Sequence, residues 1–278
     1  MKKIVILYHK NCPDGFGAAW AAWKKFGNKA NYIPVEYQTP PPKNLKGKEV
    51  YSLDFSYPAE VIKKLKKITK KLVFLDHHIT AKENIKFADF YVYNVNHSGA
   101  FLTWRYFHPK KATPKLILYI EDRDLWNFKL AGAREITTFL KTLDLNLKEF
   151  DKLAVQFERA DFRKKYFETG KILLAFKEQI ISGVASQAEK VRFLGIDTLA
   201  ANSPILGLRS EIGEILYDKK PPMSIIWLKD GDDLLVSLRS KGDFDISKLA
   251  KRFGGGGHKN AGGFRIKKGQ KIPWKKIK

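Results

Sequence analysis

Short apolar runs rich in β-branched and aromatic residues recur along the N-terminal part of the chain, at 3–8, 32–35, 50–55, 72–75 and 90–95. Between them, at 15–26, 59–71 and 98–107, apolar residues return at three- and four-residue spacing. Near-continuous apolar strands alternating with amphipathic helices predict a parallel sheet covered on both faces. In 59–71, Val61, Ile62, Leu65 and Ile68 form the stripe expected to face the core, with Lys63, Lys64, Lys66, Lys67 and Lys70 on the other side. Pro40-Pro41-Pro42 breaks the pattern between the second and third strands and reads as an exposed loop.

From about 113 to 190 the period is helical without a strand, and 147–160 and 162–189 read as two helices, the second long. Strands return at 192–196, 224–228 and 234–239, the last two joined by the turn Asp230-Gly231-Asp232. A helix over 246–253, a glycine-rich stretch and a closing strand near 263–266 complete the pattern. The predicted organisation is an N-terminal parallel-sheet α/β domain over 1–130, a helical connector over 131–190 and a smaller C-terminal α/β domain over 191–278.

Composition narrows the class. In 278 residues, an apolar content of 44% with 13% aromatics excludes a mainly disordered chain. The single cysteine, Cys12, excludes a disulfide scaffold and a multi-cysteine zinc site. The apolar run at 4–8 is too short for a signal peptide. No run approaches the ~18 apolar residues of a membrane span, so a soluble, cytoplasmic protein that binds no membrane is expected. The 52 Lys+Arg against 29 Asp+Glu give a formal charge of +23, mostly from lysine. Such an excess fits a polyanion partner and a heavily solvated lysine surface equally well.

In open α/β sheets, ligands bind beyond the carboxyl ends of the strands. The first predicted strand ends at His9, followed by Asn11-Cys12-Pro13-Asp14-Gly15; the third ends at Asp54; the fourth runs into Asp76-His77-His78. Three of the six histidines therefore fall at strand ends beside carboxylates. Each residue alone has a plainer reading, as a helix cap, a turn or a packed pair. Together they form a mixed oxygen and imidazole donor set suited to Mn2+, Fe2+, Mg2+ or Zn2+. Two such ions sharing a carboxylate would clamp a phosphoryl group and generate hydroxide for in-line attack.

The triplet Asp76-His77-His78 after an apolar strand resembles the signature of the DHH phosphoesterase superfamily. His9 with Pro13-Asp14-Gly15, Leu53-Asp54-Phe55-Ser56 and Ile120-Glu121-Asp122-Arg123-Asp124-Leu125-Trp126 match further motifs in order. The run 254–263, with four glycines before His258, resembles the DHH-associated C-terminal domain. The resemblance spans nearly the whole chain. It implies one or two Mn2+ ions, with Mg2+ or Co2+ as alternatives. His9 and Asp14 would bind the first, Asp54 would bridge both, and His77 would bind the second with Asp124 or Asp122. The Asp-x-Trp spacing favours Asp124, which leaves a surface ion pair as the reading for Asp122. His78 would contact the substrate phosphate and Asp76 would orient the histidine pair.

One position departs from the family pattern. The first motif usually carries Asp-x-Asp, and Phe16 stands where the second aspartate would be. The second ion would then be held by Asp54, His77 and Asp124 alone, unless the alignment is shifted. Cys12 beside it is either a soft ligand or a small packed residue. Among the aromatics, Phe55 and Trp126 read as core, while Phe16 and Tyr57 are open between core and base stacking. His97 reads as a surface residue or one that approaches substrate, and His108 as a surface residue.

At the C-terminus, Gly255, Gly256 and Gly257 followed by His258 and Lys259 would cradle a phosphate through backbone N–H groups, unless they form a flexible loop. Arg239 resembles the family's phosphate-contacting arginine. The resemblance implies a nanoRNase-like phosphodiesterase of short oligonucleotides, acting as a monomer or homodimer. The alternatives are the same chemistry on cyclic or linear dinucleotides, phosphoadenosine phosphate or polyphosphate, and a degenerate protein that binds nucleotides or nucleic acid without turnover.

Overall fold

The apolar sequence Ile-Val-Ile-Leu-Tyr-His forms β1 (Ile4–His9), the strand around which the first sheet is ordered. The computed structural model describes residues 2–37, 39–144 and 146–278. α1 (Pro13–Phe26) begins with proline in its first turn, where the missing N–H costs nothing, and leads into β2 (Ala30–Val35). β3 (Glu49–Leu53), α2 (Ala59–Ile68), β4 (Lys71–Asp76) and β5 (Phe90–Tyr93) follow. All pairings are parallel and the order is β2-β1-β3-β4-β5.

Alternate residues of each strand face opposite layers. Ile6, Tyr51, Leu53, Val73 and Leu75 join one core with Trp20 of α1 and Trp104 of α3 (Gly99–Phe107). Val5, Leu7, Val50, Leu72 and Phe74 join the other, against Ile62 and Leu65 of α2. Trp20 and Trp104 stack at 5.3 Å, worth about 0.5–1.5 kcal/mol beyond their burial. Of the stripe expected on α2, Ile68 is 44% exposed, as the last residue of the helix.

The helical segment forms α4 (Lys115–Asp124), α5 (Ala133–Leu140), α6 (Leu147–Phe157) and α7 (Ala160–Ser186). Ile117, Ile136, Phe150, Leu153, Phe157 and Tyr166 enter the same core as Trp20. Trp20 Nε1 also donates to Asp151 at 3.1 Å, tying α6 to α1. The chain divides into two compact units, Met1–Leu174 and Ala175–Lys278. Of the segment expected as a connector, α5, α6 and the first half of α7 fall in the first unit, while the second half of α7 falls in the second, where Ile181 and Ala185 pack with Ile212 and Leu216.

The second unit holds a mixed sheet of order β10-β11-β9-β8-β7-β6-β12. Its strands are β6 (Glu189–Phe193), β7 (Ile196–Asn202), β8 (Met223–Asp230), β9 (Asp233–Ser240), β10 (Gly256–His258), β11 (Ala261–Ile266) and β12 (Trp274–Lys276). β7 and β8 pair parallel, as the crossover helix α8 (Arg209–Lys219) between them requires; the other pairings are antiparallel. α9 (Ile246–Lys251) packs Ile246 and Ala250 against the opposite face. Among the described residues, no helix is long and apolar enough to cross a membrane.

Candidate metal centre

The carboxyl ends of β1, β3 and β4 meet where the strand order reverses, and each delivers a polar side chain. His9 closes β1. Asp54 follows β3 with φ of +54°, a left-handed conformation that aspartate tolerates better than most residues. Asp76 closes β4, with His77 and His78 after it. Asp14 comes from the first turn of α1, and Asp124 from the last residue of α4.

The distances define a tight cluster. His77 Nε2 lies 3.3 Å from Asp54, 3.4 Å from Asp124 and 3.9 Å from Asp14. His9 Nδ1 lies 3.5 Å from Asp54 Oδ2. Three overlapping sets of donors each fall within 4.8 Å: His9, Cys12 and Asp54; Asp54, His77 and His78; Asp14, His77 and Asp124. Asp54 is 1% exposed, and although His77 and His9 stand at ion-pair distance, neither its carboxylate oxygens nor His9 Nδ1 has a hydrogen-bond partner among the described residues. Orphaned buried acceptors of this kind cost free energy unless a cation satisfies them, so the residues present fit a divalent metal.

The surrounding contacts fix the cluster. Asp14 accepts from Gly99 N at 2.6 Å and Ala100 N at 3.0 Å, taking up free N–H groups at the start of α3. A Cβ on Gly99 would stand 2.5 Å from Asp54 Cβ, and one on Gly15 would stand 2.3 Å from the His9 carbonyl oxygen. Both close approaches require glycine. Asp76, fully buried, accepts from His77 N at 2.7 Å, His78 N at 2.9 Å and His78 Nδ1 at 2.7 Å.

Electrostatics separates the titrating groups. Burial, then the charges of Asp54 and Asp124, pushes the Asp14 carboxyl well above its usual range. Asp124 is raised for the same reasons, partial burial first and Asp54 next. Burial would also raise Asp54, but the close imidazoles of His77 and His9 and the charge of His78 outweigh it and hold this carboxyl low. Burial lowers His78, while its hydrogen bond to Asp76 and the charge of that carboxylate outweigh burial and lift it to about 9. Burial and the three neighbouring carboxylates push the Cys12 thiol well up.

Asp122 lies outside the cluster. Its buried carboxylate accepts from Lys129 N at 2.9 Å and Leu130 N at 3.0 Å, anchoring the loop after α4 instead of making a surface ion pair. Phe16 also turns away: its ring packs edge-on to Tyr8 and Phe150 in the core and offers no donor. Beside Asp14 and Asp124, a cavity of about 120 Å³ is lined by Arg123 and Lys141. Arg123 stacks 4.1 Å from Trp126, which is 39% exposed and not a core residue. Phe55 and Tyr57 are buried. His97 places Nδ1 2.8 Å from Glu121, and His108 is buried, not on the surface, with Nε2 2.9 Å from the Ala21 carbonyl oxygen.

In the second unit, Gly256 and Gly257 lie in β10, a strand where the sequence reads a loop. Close pairing with β11 explains two of the glycines. A Cβ on Gly255 would meet the Gly263 oxygen at 2.1 Å, and one on Gly257 would meet the Ala261 oxygen at 2.4 Å. The His258 side chain lies outside the described residues. Lys259 pairs with Asp243 at 2.7 Å. Arg239 lies across α8, donates to Ser210 Oγ at 3.4 Å and keeps a buried Nε with no partner among the described residues. Burial, then the charge of Arg209, lowers it to about 10. Arg209, half-buried and bonded to Ser237 Oγ at 2.9 Å, is a second guanidinium that sequence reading missed. Its one signal is that arginine is scarce in a lysine-rich chain.

Residues 208–274 match the DHHA1 domain family. An uncharacterised protein of Acanthamoeba polyphaga mimivirus is 31% identical over 284 residues, covering 93% of this chain, which spans 66% of that relative's length. Among solved structures, a pGpG-specific phosphodiesterase, PggH, from Vibrio cholerae superposes with a TM-score of 0.55 at 15% identity, over 96% of this chain and 94% of that one. RecJ in complex with Mn2+ from Thermus thermophilus gives 0.55 at 15% identity, over 95% of this chain and 50% of that one. At these identities the structural likeness is one of fold.

Proposed function

We propose that this chain, a DHH-family protein with a C-terminal DHHA1 domain, is a metal-dependent phosphodiesterase that hydrolyses short oligonucleotides, dinucleotides included. The observation that carries the reading is Asp54, buried amid His9, His77, Asp14 and Asp124 with no hydrogen-bond partner among the described residues. These residues would hold one or two divalent cations, Mn2+ or Mg2+ by analogy with the RecJ complex. Bound there, the cation supplies Lewis-acid polarisation of a phosphoryl oxygen and lowers the pKa of water.

The chain's own groups supply the rest. Asp76 locks the ring of His78, and its hydrogen bond and charge favour the protonated imidazole, the form able to donate to a phosphate oxygen. Arg123 and Lys141 make the adjoining cavity attractive to an anion. In the second unit, Arg239 and Arg209 are guanidinium groups of the kind that bind phosphate. The name of the PggH neighbour, a pGpG-specific phosphodiesterase, favours a linear dinucleotide within this substrate range.

The test is an assay of di- to decanucleotides, linear and cyclic dinucleotides and polyphosphate with Mn2+, Mg2+ or Co2+. Turnover of the short linear substrates is expected, with chelation abolishing it and Mn2+ restoring it. Asp54→Asn should remove activity while leaving the fold intact. Turnover of polyphosphate alone would replace the substrate assignment. No turnover of any substrate with any metal would refute the enzymatic reading.

A further inference from the structure

The donor sets of the centre differ chemically. Asp14, His77 and Asp124 offer two carboxylates and one imidazole, a hard set suited to Mn2+ or Mg2+. His9, Cys12 and Asp54 offer an imidazole, a sulfur and a carboxylate, with the donor atoms within 4.8 Å of one another. Cys12 sits at the N-terminal boundary of α1, one turn after His9, and the left-handed backbone at Asn11 (φ +56°) shapes that turn. Two residues beyond Asp14, Phe16 is committed to the core, so Cys12 is the remaining donor that this turn presents.

A second observation points to a ligand there. Asp54 is 1% exposed, and its two carboxylate oxygens and His9 Nδ1 are all buried without a hydrogen-bond partner among the described residues. The thiol therefore borders groups that lack only a cation. Resting on the metal-dependent reading above, we infer that Cys12 Sγ is a direct metal ligand together with His9 and Asp54. One half of the centre is thereby soft, favouring Zn2+, Fe2+ or Co2+, while the other half stays hard. On binding, the thiol proton leaves to solvent as the metal–sulfur bond forms, with no redox change.

Cobalt spectroscopy reads this directly, and because Cys12 is the one cysteine in the chain, any sulfur signal has one source. The metal-free full-length protein is titrated with Co2+ and followed from the near-ultraviolet through the visible. The expected spectrum has visible d–d bands together with a near-ultraviolet sulfur-to-cobalt charge-transfer band. Cys12→Ser should lose the charge-transfer band and keep the visible ones. It should also weaken Zn2+ binding about tenfold or more while changing Mn2+ binding far less. Saturating Zn2+ should slow the reaction of the wild-type thiol with Ellman's reagent, a readout that needs no variant to fold. Bound Co2+ without the charge-transfer band in the wild type, or thiol reactivity unchanged by Zn2+, would overturn the Cys12 assignment and leave the phosphodiesterase reading standing. Failure of any divalent metal to bind would overturn both.

Discussion

Replacing Gly99 by alanine tests whether the centre is built by close approach of α3. The added Cβ would stand 2.5 Å from Asp54 Cβ and 3.0 Å from both Asp54 Cα and Asp14 Oδ2. Asp54 Cα and Cβ cannot yield without its backbone, and the Asp14 carboxylate is buried and held by two N–H groups, so the start of α3 has to move outward. Overpacking of this sort costs about 1–3 kcal/mol. The shift also lengthens the bonds that Gly99 N and Ala100 N donate to Asp14, now 2.6 and 3.0 Å. Roughly 1 kcal/mol is lost for each of the two bonds weakened, giving about 3–5 kcal/mol in all. Gly183→Ala is the control. That glycine lies inside α7 with nothing within 4 Å of its missing Cβ, so alanine should stabilise by about 0.5–1 kcal/mol. Urea unfolding followed by circular dichroism reads both variants, and Mn2+ titration reads the site. Gly99→Ala with wild-type stability and metal affinity would show that α3 does not set the geometry of Asp14 and Asp54.

Other outcomes follow from the same contacts. In the metal-free protein the His78 ring should titrate near 9 in an NMR experiment, above its ordinary 6.5. Because the folded state holds this proton more tightly, its stabilisation is complete below about 6.5 and is lost as pH rises through 9. Asp76→Asn should bring the midpoint down; a wild-type midpoint at 6.5 would refute the Asp76 effect. Asp122→Ala, which strips the acceptor from Lys129 N and Leu130 N, should cost about 1–3 kcal/mol in urea unfolding yet keep metal binding. Asp124→Ala should do the reverse, and loss of metal binding in the Asp122 variant would count against their division of roles.

Much of the first sheet is readable from residue order because its strands are buried on both faces and so appear as apolar runs. His9, Asp54 and Asp76 could be found because strand ends are where such sheets expose polar residues. β7 and α8 could not. Ile-Asp-Thr-Leu-Ala-Ala-Asn has little alternation, and α8 buries only Ile212, Gly213 and Leu216 beneath a largely charged surface. The errors at His108 and Trp126 have one cause. A histidine is buried here because the Ala21 carbonyl oxygen accepts a hydrogen bond from its ring, and a tryptophan is exposed with Arg123 covering its face. Such partners are tertiary, and composition does not announce them. The service of Asp14 to α3, across 85 residues of chain, is hidden for the same reason.

The left-handed backbone at Asp54 also constrains how this protein can change over time. Most side chains at φ of +54° carry a penalty of roughly 1–2 kcal/mol, whereas asparagine and glycine fit. Asparagine is one nucleotide away from aspartate in the genetic code. It preserves the shape of the turn while removing the charge on which the cluster depends. On the phosphodiesterase reading, the simplest route by which a lineage would abandon catalysis is therefore a single base change that leaves a folded protein with its clefts intact, ready to be retained as a binding module.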